Sequence, residues 1–158
     1  MKLDVPQINL VLAWAGILAG FVSGLVLGLF FHREDWLGGY SSFKRRVYRL
    51  AHISFFGLGA VNLFFYLTAR LIAGTGLLAF ASWALIVGAV TMPLCCILMA
   101  HIPRVQALFA VPVLSLIAGG TLTLAAIIQE PGNRNVPSGS SDRPVAAINS
   151  QPTTNNQQ

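Results

Sequence analysis

His32, His52 and His101, the only histidines of the chain, each stand at the edge of a long apolar run. Imidazole is a common metal and haem ligand near neutral pH, and two imidazoles from different helices suffice to hold a b-type haem. Phe55 and Phe56 lie next to His52 and offer aromatic walls, while Arg45, Arg46 and Arg49 can face haem carboxylates. His52 lies furthest into a run, so it is the first candidate ligand. His101 is the first-choice partner and His32 the second. Arg49, one helical turn before His52, is the candidate propionate contact. Zinc fits these residues less well, since it needs a third or fourth ligand at fixed geometry and only Glu34 and Asp35 are near. Against any cofactor stands the ordinary habit of histidine at helix ends, which is to sit in the wet interfacial layer.

Other residue types point to weaker chemistry. Met92, Cys95, Cys96 and Met99 are soft donors of the kind that bind Cu(I). Met92 and Cys96 share a helical face, as do Cys95 and Met99, but His101 falls on nearly the opposite side. Adaptable packing around a kink at Pro93 is the plainer reading. The adjacent cysteines project about 100° apart on a helix and are poorly placed to bridge each other. His52, Phe55, Gly59, Asn62 and Tyr66 recur at helical spacing. Asn62 falls near mid-membrane, where an amide needs a partner, so it is expected to hydrogen-bond across helices. There is no Gly-rich phosphate loop, no His-Glu-x-x-His and no paired acids, which leaves no visible catalytic apparatus.

Four apolar runs must position these residues: 8–31, 51–69, 77–100 and 105–128. None contains Asp, Glu, Lys or Arg, and each approaches the ~20 residues that cross a hydrocarbon layer as a helix. With 9% charged residues and a mean hydropathy of +0.69, the chain reads as an all-α membrane protein. The first run is too long for the apolar core of a cleaved signal peptide and is expected to be retained. Short connections at 70–76 and 101–104 make consecutive spans antiparallel neighbours, which predicts an up-down-up-down four-helix bundle over residues 1–129. The 32–49 loop is predicted to be interfacial, with Ser41 and Ser42 capping a short helix marked by Phe43, Val47 and Leu50. Residues 130–158 turn to Pro, Gly, Ser, Asn and Gln and are expected to be a disordered tail.

Gly16, Gly20, Gly24 and Gly28 fall four residues apart and leave a side-chain-free groove along the first span. Helices in lipid associate through close backbone approach, so the stripe predicts tight packing. Ser115, Gly119 and Thr123 form a matching stripe on the fourth span, the expected partner within the chain; self-association or contact with another membrane subunit is the other use.

The cations set orientation. Arg33, Lys44, Arg45, Arg46, Arg49 and Arg104 gather at one face, against Lys2, Arg70, Arg134 and Arg143 at the other. The positive-inside rule then puts the 32–49 loop in the cytoplasm, both termini outside, in what is most simply a bacterial inner membrane. The net charge of +5 reads as attraction to anionic lipid headgroups through Lys44, Arg45 and Arg46 rather than to nucleic acid. A small four-helix layout with interfacial histidines resembles in outline the membrane anchors of b-type electron-transfer complexes. The expectation is an accessory or anchor subunit of a respiratory or electron-transfer complex, with a b-type haem as its sharper form. The alternative is a small homo-oligomeric transporter or pore.

Overall fold

The computed structural model describes residues 5–72 and 76–129; the expected tail at 130–158 lies outside the described residues. It contains four helices: α1 (Val5–Phe30), α2 (Phe43–Leu71), α3 (Gly76–His101) and α4 (Ala110–Gln129). Short 3-10 turns at Trp36–Gly38 and Pro103–Phe109 lead into α2 and α4. There is no strand among the described residues. All four helices, α4 counted with its preceding turn, are long and apolar enough to cross a membrane.

The region predicted as a loop with a separate interfacial helix folds differently. Ser42 caps α2 by accepting the Arg45 amide at 3.2 Å, and the helix continues for 29 residues without a break. The reason is local: no glycine or proline occurs between Phe43 and Phe56, so nothing interrupts a helix started at Ser42. His52 therefore lies in the third turn of α2 instead of at its opening. The turn before the cap is tight, with Leu37, Gly38 and Gly39 all at positive φ. Only glycine adopts that conformation freely, which accounts for the glycine pair.

Consecutive helices run in opposite directions and form an open row. α1 packs on α2, α2 on α3 and α3 on α4, while α4 makes no substantial contact with α1. The predicted pairing of the α1 glycine face with α4 is thus not what forms. Its physical cause is where the small residues find partners. The glycine face of α1 meets α2 rather than the small-residue face of α4. A Cβ on Gly59 would stand 3.0 Å from the Ala13 carbonyl oxygen, and one on Gly16 would stand 3.1 Å from the Phe55 carbonyl oxygen. Backbone touches backbone there, as expected of small residues in lipid. From this crossing the helices diverge. Gly20 faces the Phe56 ring, Gly24 faces the His52 imidazole, and Gly28 meets nothing within 4 Å.

The α3–α4 pair uses a reciprocal device. Leu116 fills the space left by Gly88, and Leu85 fills the space left by Gly119. The Ser115 hydroxyl donates to the Ala84 carbonyl at 2.7 Å across the same interface. Thr123 donates within α4 to Gly119 at 2.7 Å. Two apolar clusters stitch the row: Phe65, Leu78, Ala81, Leu85 and Ala126 at one end, and Val47, Ala51 and Cys96 at the other. Pro93 is buried within α3 and does not end it.

Candidate functional site

His52 is wedged between α1 and α2, where Gly24 leaves room for its ring. A Cβ at Gly24 would lie 2.8 Å from His52 Cε1. His52 Nδ1 lies 2.9 Å from the Ser23 hydroxyl, which in turn donates to the Gly20 carbonyl at 3.0 Å. A hydroxyl has one proton to give. That proton can go to the Gly20 carbonyl or to an unprotonated Nδ1, so the ring tautomer sets which of Ser23 and His52 is the donor. Among the described residues, Nε2 at the other edge of the ring has no hydrogen-bond partner.

His101 is engaged elsewhere. Its Nε2 lies 2.9 Å from the Tyr48 hydroxyl, joining the end of α3 to the beginning of α2, with the two rings edge to face. His52 and His101 are therefore held on different interfaces, α1–α2 and α2–α3. His32 is exposed just after α1, and Arg49 is exposed on α2. Among the described residues no three His, Cys, Asp or Glu side chains come together as a metal site.

Two cavities lie along the α1–α3 side of α2. One, of about 290 Å³, is walled by Leu12, Ala15, Gly16 and Ala19 of α1, by Phe55, Leu58 and Gly59 of α2, and by Ala89 to Ile97 of α3. The other, of about 250 Å³, is lined by Ser23, Val26, Leu27, Trp36, Tyr48, Ala51 and His52. Phe55 and Ile97 line both. The first cavity is largely apolar and lies at the level of the helix centres. The second reaches the loop end of the row, and the surface that its lining residues turn to it is apolar.

Arg45 corrects the expectation that it faces lipid headgroups. It is 1% exposed, and its Nη2 donates to the Phe31 carbonyl at 2.5 Å. Its guanidinium carbon stands 3.9 Å from the Tyr40 ring centroid, 4.8 Å from Phe31 and 5.8 Å from Trp36. Aromatic faces attract a cation, and the attraction strengthens on desolvation. α1 has no basic residue in its own last turn. Arg45 supplies the missing positive charge at that carbonyl end from the neighbouring helix. Nε and Nη1 are buried without partners. Lys44 and Arg46 remain exposed at the start of α2.

At the opposite end lies a buried polar cluster. Asn9 donates to Asn62 Oδ1 at 2.8 Å, Asn62 donates to the Leu58 carbonyl at 2.8 Å, and Ser82 donates to Asn9. The interhelical bond expected of Asn62 thus goes to a residue that the sequence alone did not single out. Asn9 lies at the start of the first apolar run, where a polar residue looks unremarkable. Its one signal was that it and Asn62 are the two amide side chains near helix interiors. Ser82 is likewise the single hydroxyl in the first half of α3. Cys95 and Cys96 are buried and unbridged, with Cys95 Sγ 3.7 Å from the Leu108 carbonyl.

Comparison with protein-family models, with curated proteins and with solved structures finds no match to this chain.

Proposed function

We propose that this chain is an accessory or anchor subunit of a larger electron-transfer complex in a bacterial inner membrane. The observation that carries this reading is the open row of helices. α1 is covered by α2 along one face, while Trp14, Leu18, Phe21, Leu25 and Leu29 stand exposed on the other. α4 likewise turns Leu114, Ile117, Leu124 and Ile128 outward. Two outer helices, each with one uncovered apolar face, suit a protein that packs edge-on against further membrane helices. Haem ligation by His52 and His101 is not carried into this reading, because each ring is already engaged on a different interface. An absorption spectrum of the purified protein decides that point.

The partner is testable in native membranes. A photoactivatable side chain at Leu18 or Leu25 is expected to crosslink to one discrete integral membrane subunit, and the same probe at buried Leu85 to none. Adducts with lipid alone would defeat the reading. Adducts only with a second copy of this chain would favour the homo-oligomeric transporter or pore.

Orientation follows the cations. Lys44, Arg46 and Arg49 are exposed at the start of α2, with Arg33 and Arg104 at the same end, and favour a cytoplasmic placement against anionic headgroups. Both termini then lie outside. A cysteine placed at Ser41 should resist an impermeant thiol reagent in intact cells, and one placed at Ser140 should react. Native Cys95 and Cys96 are buried and should contribute little background. The reverse labelling pattern would invert the topology.

A further inference from the structure

We propose that residues 31–42 form a lid that Arg45 latches shut, and that the phosphate of an anionic lipid headgroup releases the latch. The lid is independent of the subunit reading above, since it can respond to lipid with or without a partner on α1.

The lid folds back on itself around one acceptor. The Phe31 carbonyl takes a hydrogen bond from the Tyr40 hydroxyl at 3.1 Å and another from Arg45 Nη2 at 2.5 Å. The Ser42 hydroxyl ties the other end by donating to the Leu37 carbonyl at 2.7 Å. Between these ties Trp36 stacks on Phe30, with ring centroids 5.6 Å apart. Trp36 also lines the cavity of about 250 Å³, whose other walls come from α1, α2 and α3. Among the lining residues it alone lies outside those helices, so the lid covers the loop end of that cavity with Trp36.

Two features of the closed lid are unfavourable, and opening can relieve both. Leu37 sits at φ 57° and ψ 24°, a left-handed conformation that a leucine side chain resists. Arg45 is 1% exposed, yet its Nε and Nη1 have no partner among the described residues. An unpaired donor buried away from water is costly, more so on a charged group. Opposing these costs are the bond to Phe31 and the rings of Phe31, Trp36 and Tyr40 around the cation. The chemistry that can compete for Arg45 is set by its shape and surroundings. A guanidinium presents a planar fork of N–H donors that matches phosphate oxygens. Lys44, Arg46 and Arg49 stand exposed within four residues of it on α2 and gather anionic headgroups there. A lipid phosphate at that place supplies the acceptors that the closed lid lacks.

The full chain carrying Trp14→Phe and Trp83→Phe keeps Trp36 as its one tryptophan and reports the lid directly. It is compared in nanodiscs of phosphatidylcholine alone and of phosphatidylcholine mixed with phosphatidylglycerol. Phosphatidylglycerol should increase acrylamide quenching of Trp36 and red-shift its emission. The open-to-closed ratio is expected to rise about fivefold, the weight of one cation at an anionic surface. Hydrogen exchange at the Gly38, Gly39 and Ser42 amides, which bond within the closed lid, should quicken in parallel. Arg45→Ala should be open in both lipids and insensitive to phosphatidylglycerol. Lys44→Gln with Arg46→Gln alters only exposed side chains, so it keeps the test valid if Arg45→Ala fails to fold, and it should still respond. Unchanged or greater shielding of Trp36 in phosphatidylglycerol overturns the proposal. So does a response that survives in Arg45→Ala or vanishes in the Lys44/Arg46 variant, since the exposed cations alone would then carry it. Equal opening by inorganic phosphate in phosphatidylcholine nanodiscs overturns the lipid as the source.

Discussion

Gly59→Leu is expected to separate α1 from α2 and to be the most damaging single substitution in the chain. A Cβ at this position already approaches the Ala13 carbonyl oxygen to 3.0 Å and Ile17 to 3.4 Å, and a leucine adds three more carbons. Backbone cannot yield as a flexible side chain can, so the helices must part. Overpacking of this kind costs about 1–3 kcal/mol and sometimes more. Parting the helices also strains the Asn9–Asn62 bond, and such bonds within membranes contribute about 0.6–2 kcal/mol. A loss of about 3 kcal/mol follows, enough to lower the detergent unfolding midpoint markedly and to reduce the yield of monodisperse protein. Gly28→Leu is the matched control, because nothing lies within 4 Å of a Cβ there. Equal damage from the two substitutions would show that glycine content, and not the crossing, matters.

Arg45→Ala should release the segment between α1 and α2. The guanidinium binds the Phe31 carbonyl and is faced by the rings of Phe31, Trp36 and Tyr40. A desolvated cation–π contact contributes about 1–2 kcal/mol, and a cation at a helix carbonyl end up to about 2 kcal/mol. The buried Nε and Nη1 have no partners and offset part of this. The net expected loss is about 2 kcal/mol, concentrated locally. It should appear as faster proteolysis between residues 31 and 42 and a red-shifted Trp36 emission, with α3 and α4 unaffected. Arg45→Lys should not restore the parent behaviour, since an ammonium lacks the planar face that stacks on the rings. Full rescue by lysine would mean that charge alone holds the segment.

Some features were readable from the residues alone because the cause is local or belongs to the solvent. Hydrocarbon demands internally satisfied backbone, so four uncharged runs had to become four helices. Ser42 followed by an uninterrupted stretch specified where α2 begins, although the polar residues at 44–49 disguised its length. The four-residue glycine spacing specified a close-packed face, and a mid-membrane Asn62 required a partner.

Which partner each face meets was decided by tertiary structure. Periodicity along one helix says where a face lies but carries no information about its neighbour. The glycine stripe was therefore matched to the small residues of α4, yet it crosses α2 at Gly59. A run of cations does not say which one turns inward. Arg45 does so because its helical position points it at the carbonyl end of α1 and at three aromatic rings, while Lys44 and Arg46 remain outside. The histidines share one membrane edge in sequence terms. Only the packing reveals that His101 answers to Tyr48 and His52 to Ser23, because a side-chain hydrogen bond is made over a few ångströms, a scale that span order does not resolve.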